Sequence, residues 1–221
     1  MVWIRDRCCL RALSLAEAVL KESTAFPAGS LLLLKGGVQT YFRDIDIMST
    51  VEDYERNAEV FNRILSECTV LKHRWLARSC FGCPVELIPV PSFLKEEYER
   101  RGPVEFWLGT NIAKLTRWKH EFTAAKFLAK LFVVLSQVDD ISIEDVREHL
   151  EVQRKVGYMR GKIQIKKSTF TPAYYLYRYI YISDDTRFVE AAYEHELGVF
   201  SSRLIAFFER LRSHGIPVEI L

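Results

Sequence analysis

The alternation Asp44-Ile45-Asp46-Ile47 constrains the fold of this chain more than any other stretch. In a strand, positions i and i+2 share a face, so a strand here turns Ile45 and Ile47 into the core and points both aspartates the other way. Neighbouring carboxylates repel, and such a pair calls for a cation between them or a shared proton. Mg²⁺ suits the first case, because it takes hard oxygen ligands and is held by one or two carboxylates plus substrate phosphates. Upstream, the apolar run Leu31 to Leu34 reads as a buried strand, and Lys35-Gly36-Gly37 follows it. Backbone lacking Cβ atoms can approach a phosphate and offer it N–H groups. The same residues also fit a hairpin with two solvated aspartates, and both readings stay open.

The order of strand, Gly-Gly and then Asp-x-Asp on a second strand resembles the nucleotidyltransferase superfamily of DNA polymerase β and the tRNA CCA-adding enzymes. The wording KGG followed by DID is most similar to the AbiEii-type abortive-infection toxin branch. That resemblance implies a third carboxylate on a later strand. Pro84 to Val90, PVELIPV, places Glu86 in a strand pattern, and VELIP resembles the corresponding strand of archaeal CCA-adding enzymes. The chain departs from the family in two ways. The segment from Gly37 to Asp44 is short for it, and Gly37 is followed by Val38 and Gln39, not by a small hydroxyl residue.

The resemblance implies an α+β fold: a small mixed β-sheet nucleotidyltransferase core flanked by helices over residues 1–102, then a mainly helical C-terminal region over 103–221. Gly102-Pro103 is the expected boundary. The implied activity is metal-dependent transfer of NMP from an NTP to an acceptor hydroxyl. Asp44, Asp46 and Glu86 would be catalytic and hold Mg²⁺ (or Mn²⁺). Lys35, Gly36, Gly37, Lys114 and Arg117 would bind the nucleotide. The branch further implies a tRNA or other RNA acceptor, a toxin–antitoxin role and an antitoxin protein as partner. The alternative is an inactive nucleotide- or RNA-binding relative of that fold.

Composition bounds rather than decides. Nearly half of the 221 residues are apolar, enough for a proper core, and the net charge of +2 names no partner. No run of eighteen apolar residues exists, so no membrane span is expected, and the N-terminus lacks a signal-peptide core; the expected location is cytoplasmic. There are five cysteines, an odd number that argues with that location against a disulfide framework. Cys80-Phe81-Gly82-Cys83 has zinc half-site spacing without a second Cys or His pair at zinc spacing. It reads as a tight hairpin turn with two small apolar thiols, a disulfide staying open for a hyperthermophile.

Apolar periodicity predicts helices over Leu10 to Glu22, Glu52 to Glu67, Phe93 to Arg101, Asn111 to Gln137, Ile143 to Val156 and Thr186 to Arg212. Lys114, Arg117 and Lys119 cluster early in the fourth of these, as a phosphate-binding set or a solvated face. Lys162 to Phe170 alternates like a strand. The tyrosine-rich run after Pro172 alternates like a strand but begins like a helix, and we read it as helix. Residues 152–183 hold seven cations, seven aromatics and no acid. Cations neutralise phosphates and aromatic faces stack unpaired bases, so Arg160, Lys162, Lys166 and Lys167 are candidate acceptor-binding residues. Half-buried packing tyrosines beside a solvated charge run are the other reading.

Overall fold

The computed structural model describes residues 7–72, 75–117, 121–182 and 190–221. The chain divides into two compact units, the first ending at Pro103 and the second starting at Val104.

The first unit runs α1 (Arg7–Glu22), β1 (Phe26–Pro27), α2 (Gly29–Lys35), β2 (Ile45–Thr50), α3 (Tyr54–Ile64), β3 (Thr69–Val70), β4 (Leu76–Cys80), β5 (Cys83–Val90) and α4 (Phe93–Arg101). Its five strands form one mixed sheet in the order β1-β2-β5-β4-β3. β2 and β5 are parallel, and the other pairs are antiparallel. The fold is α+β, with a small sheet among helices.

Ile45 and Ile47 of β2 and Val85 and Leu87 of β5 form the buried floor of the sheet. They pack with Cys9, Ala12, Ala16 and Val19 of α1 and with Phe61 of α3. Small residues on α1 let that helix lie close to the strands. Asp46 and Glu86 alternate with these core residues and project from the opposite face.

Leu31 to Leu34 is helical, a correction to the strand expected there. A short, wholly apolar run does not separate a buried strand from a buried helix. Leucine is a strong helix former, and Leu31, Leu32 and Leu33 are all buried, as befits a helix that is apolar all round. β1 and β2 are antiparallel neighbours, and α2 with its following loop makes the reversal between them.

A polar knot fixes the entry to β1. Thr24 Oγ1 donates to Asp53 Oδ2 at 2.8 Å, Thr24 N donates to Asn57 Oδ1 at 3.2 Å, and Asn57 Nδ2 donates to Ser49 Oγ at 2.8 Å. The Thr24 hydroxyl holds the Asp53 carboxyl below its ordinary pKa against an opposing desolvation, and the Arg56 charge adds to the lowering.

The second unit holds α5 (Pro103–Leu115), α6 (Glu121–Leu135), α7 (Ile143–Lys155), β6 (Ile163–Ile165), a 3-10 turn (Lys167–Thr169), α8 (Phe170–Tyr177), a π-helical turn (Arg178–Ile182), α9 (Glu190–Ser213) and β7 (Val218–Ile220). β6 and β7 pair in parallel. Two expectations are corrected here. The single helix over Asn111 to Gln137 is two helices, α5 and α6; Lys119 lies outside the described residues. The strand over Lys162 to Phe170 shrinks to Ile163–Ile165, the length that β7 can pair. The tyrosine-rich run is helical, as read. The start of the last predicted helix, Thr186, lies outside the described residues.

Five cysteines do hide a disulfide framework. Cys9 bonds Cys83 and Cys68 bonds Cys80. The odd count misled, because a fifth cysteine says nothing about the other four. Cys80 and Cys83 do flank a tight hairpin turn, but neither bonds the other.

Candidate carboxylate site

Asp46 and Glu86 are Cα partners on the parallel strands β2 and β5. The sheet therefore places two carboxylates side by side on its non-core face, with Ala77 of β4 next in the same row. Both acids are half-buried, and Asp44 is exposed one residue before β2 begins. Asp44 is thus a flank of the strand and not part of it.

The turn at the start of α2 closes over Asp46. Ala28 N donates to the Asp46 carbonyl at 3.0 Å, which locks the turn to the strand. Gly29 follows with φ +51°, and a Cβ built on it would lie 2.6 Å from Asp46 Oδ2. Glycine is required twice over, by conformation and by space. Ser30 comes next, buried in the first turn of α2.

Gly29 and Ser30 are the residues that sequence reasoning missed, since it placed the glycine turn at Gly36-Gly37. The signal was present: a glycine followed by a small hydroxyl residue, with a longer segment before Asp44 than Gly37 leaves.

Gly36 and Gly37 sit at the other end of α2. Gly36 N–H bonds the Leu32 carbonyl at 3.0 Å and Gly37 N–H bonds the Leu34 carbonyl at 3.0 Å. Their donors are spent in closing the helix, at its carbonyl end, where the dipole disfavours an anion. The phosphate cradle expected at Gly36-Gly37 is accordingly corrected. Lys35 pairs with Glu17 at 3.4 Å.

The remaining expected residues belong to the second unit. Lys114 is exposed on the last turn of α5, and Arg117 lies over the Tyr158 ring, 5.6 Å from its centroid. Arg160, Lys162, Lys166 and Lys167 are exposed. Within the acid-free segment, Arg154 pairs with Glu151 at 2.9 Å, Lys162 with Glu219 at 2.5 Å and Arg178 with Glu196 at 2.8 Å. Acids from outside the segment thus neutralise three of its seven cations. Tyr174 is buried and Tyr177 packs against Phe132 and Phe200, which leaves Tyr158, Tyr175 and Tyr179 as exposed rings.

The chemistry of the donor set suits a hard divalent cation, since Asp46 and Glu86 offer adjacent carboxylate oxygens. Among the described residues, no three His, Cys, Asp or Glu side chains are grouped so as to hold a metal ion. Asp44 therefore does not complete a three-carboxylate set as it stands. Also among the described residues, no helix is long and apolar enough to cross a membrane. Searches against protein families, curated proteins and solved structures return no match for this chain.

Proposed function

We propose that the first unit is a metal-dependent nucleotidyltransferase that moves NMP from an NTP to an acceptor hydroxyl. The observation that carries this reading is the in-register pair Asp46 and Glu86 on parallel strands, with Gly29 pressed against the Asp46 carboxylate. Neighbouring carboxylates repel, and a shared cation relieves the repulsion, as a shared proton also would. The tight Gly29 turn holds one carboxylate in a fixed place, as positioning catalysis requires.

Asp46 and Glu86 would hold Mg²⁺ (or Mn²⁺), with Asp44 as the third oxygen donor. When bound, the ion neutralises triphosphate charge and lowers the pKa of an acceptor hydroxyl. Within the chain, Gly29 leaves room for the Asp46 carboxylate, and β2–β5 pairing holds Glu86 beside it. Lys114 and Arg117 remain proposed phosphate contacts. Arg160, Lys166 and Lys167 remain proposed acceptor contacts; Lys162 is weaker, being paired with Glu219. The family resemblance supports a tRNA or other RNA acceptor, an antitoxin partner and action in the cytoplasm.

A second reading, a nucleotide- or RNA-binding relative without turnover, is favoured because no third acid is grouped with Asp46 and Glu86 as a metal ligand among the described residues. One experiment separates the two. The full chain is incubated with each labelled NTP, Mg²⁺ or Mn²⁺ and total RNA, beside Asp46→Asn and Glu86→Gln. Label in RNA or protein that both variants lower by at least about a hundredfold supports transfer; removal of one aligned catalytic contact is typically that large. Folded protein that binds NTP but transfers nothing supports the binding relative.

A further inference from the structure

Four of the five cysteines meet at one end of the first unit's sheet. They arrive from three places: Cys9 from α1, Cys68 from the segment after α3, and Cys80 and Cys83 from the β4–β5 hairpin. Cys80 and Cys83 are cross-strand Cα partners around the two-residue turn Phe81-Gly82, whose φ angles are 55° and 85°. Each bonds outward to a different cysteine, with Cα separations of 4.9 Å for Cys9–Cys83 and 4.8 Å for Cys68–Cys80. Cys80 and Cys83 both belong to the core cluster, and so share the buried face of the sheet. Both disulfides therefore hang from the two strands of one hairpin, on the core side of the sheet.

We propose that, once reduced, Cys9, Cys68, Cys80 and Cys83 form a tetrathiolate site for one Zn²⁺ ion. Stapling two loops needs no such convergence, since two disulfides can lie anywhere. One ion needs it. Structural zinc takes four ligands in a tetrahedron, commonly with a C-x₂-C pair on a tight turn, at Zn–S of about 2.3 Å. Thiolates so arranged stand about 3.8 Å apart, a spacing that neighbouring Cα atoms 4.9 and 4.8 Å apart permit by side-chain rotation. The C-x₂-C half-site is legible in sequence. The other half is not, because Cys9 and Cys68 are distant from it and from each other.

The surroundings fit. Cys9, Cys80 and Cys83 are at most 2 % exposed, and Leu65, Leu13, Ile64 and Leu76 pack in the same cluster. Soft thiolate donors select zinc over the hard cations that suit the carboxylate pair. A tetrathiolate zinc centre carries two negative charges. Arg11 stands at the hairpin, its guanidinium 4.2 Å from the ring centroid of Phe81, which follows Cys80 in the turn. As disulfides the sulfurs are not ligands, because metal binding needs thiolates; the oxidised chain accordingly has no metal-holding group among its described residues, and the site belongs to the reduced chain alone.

The conversion balances. Two molecules of a dithiol reductant supply four electrons and four protons, turning two protein disulfides into four thiols and leaving as two cyclic disulfides. Zn²⁺ then displaces four protons from the four thiols.

The test uses the full chain, reduced anaerobically with excess dithiol, freed of reductant and titrated with Zn²⁺ or Co²⁺. The expected results are one zinc per reduced chain, none in the oxidised chain, and a Co²⁺ spectrum with the intense d–d bands of tetrahedral thiolate ligation. Cys68→Ser should weaken zinc binding at least about a hundredfold, because loss of a direct ligand exceeds the effect of an outer-sphere change. The Co²⁺ charge-transfer intensity of the unaltered chain counts thiolates even if that variant fails to fold. A reduced, folded chain that binds no zinc overturns the proposal. So does a reduced chain that unfolds and is not refolded by zinc, or binding that Cys68→Ser leaves unchanged.

Discussion

Gly29 and Asp46 are in contact, and nothing larger than hydrogen fits between them: a Cβ at position 29 would stand 2.6 Å from Oδ2 of residue 46. Gly29→Ala therefore does two things. It puts an L-residue at φ +51°, a strain of about 1–2 kcal/mol. It also pushes the Asp46 carboxylate out of line with Glu86. A misplacement of about 1 Å costs on the order of a hundredfold in rate. Gly29→Ala should stay folded by circular dichroism yet lose about that factor in nucleotide transfer. Full transfer by this variant would remove the Gly29 turn from the site.

Gly37 gives the matching control. Its φ is +79°, but a Cβ there meets nothing within 4 Å. Gly37→Ala should lower stability by about 1 kcal/mol through backbone strain alone, read as a reduced denaturation midpoint. Transfer should be unchanged. A variant of ordinary stability that transfers nothing would restore the glycine pair after α2 to the phosphate site.

How much of this was legible follows from the period of each pattern. Ile45 to Ile47 and Val85 to Leu87 read correctly as strands because alternation has one meaning, though Asp44, which the same pattern put in the strand, flanks it. Their register, Asp46 beside Glu86, could not be read, since pairing between distant strands leaves no local mark. Leu31 to Leu34 failed because an unbroken apolar run has no period. That failure displaced the glycine: with a strand assigned there, Gly36-Gly37 looked like the turn before the site, when Gly29-Ser30 holds that place. The disulfides were hidden for the same reason as the register, with Cys9 and Cys83 meeting across 74 residues of sequence. In the second unit, α7 was legible to its cap, where Ser142 Oγ accepts from Asp145 N–H at 3.2 Å. The acid-free segment looked more basic than it is, because Glu196 and Glu219 return from later in the chain.

The two disulfides close loops of different size, with sequence separations of 74 for Cys9–Cys83 and 12 for Cys68–Cys80. Loop-closure entropy assigns them about 4.5 and about 3 kcal/mol of stabilisation. In oxidised protein kept free of metal by a chelator, Cys9→Ser should therefore lower the urea midpoint more than Cys68→Ser. The reverse order would mean that the loss of packing around Cys68, and not the loop length, dominates.

Gly109 bears on His149 in the second unit as Gly29 does on Asp46. A Cβ at position 109 would lie 2.2 Å from His149 Cδ2. His149 is fully buried, with Nε2 at 3.1 Å from both Thr110 Oγ1 and Gln153 Nε2, and its ring is tilted on Phe106. It has no room to retreat. Gly109→Ala should destabilise the unit by about 1–3 kcal/mol, the usual range for overpacking, as read by calorimetry. A loss below about 0.5 kcal/mol would show that α5 and α7 part easily.

Alkaline pH should loosen the second unit through Tyr174. Burial first, and then its hydrogen bond to Glu196 Oε2 at 2.8 Å, hold the Tyr174 hydroxyl well above its ordinary pKa of 10.0. The folded state keeps this proton at a pH where the unfolded chain has lost it. The contribution to stability is thus fully present below about pH 10 and is lost as pH rises toward the folded value. Tyr177, raised by burial and then by the Glu196 charge, adds to the same window. Tyr174→Phe should lower stability near neutral pH by about 1–3 kcal/mol, because Glu196 loses a charge-assisted donor. Above pH 10 it should flatten the fall, since one fewer group ionises on unfolding. Urea midpoints of both proteins at neutral pH and above pH 10 check this; curves that stay parallel across the window would show that Tyr174 does not govern it.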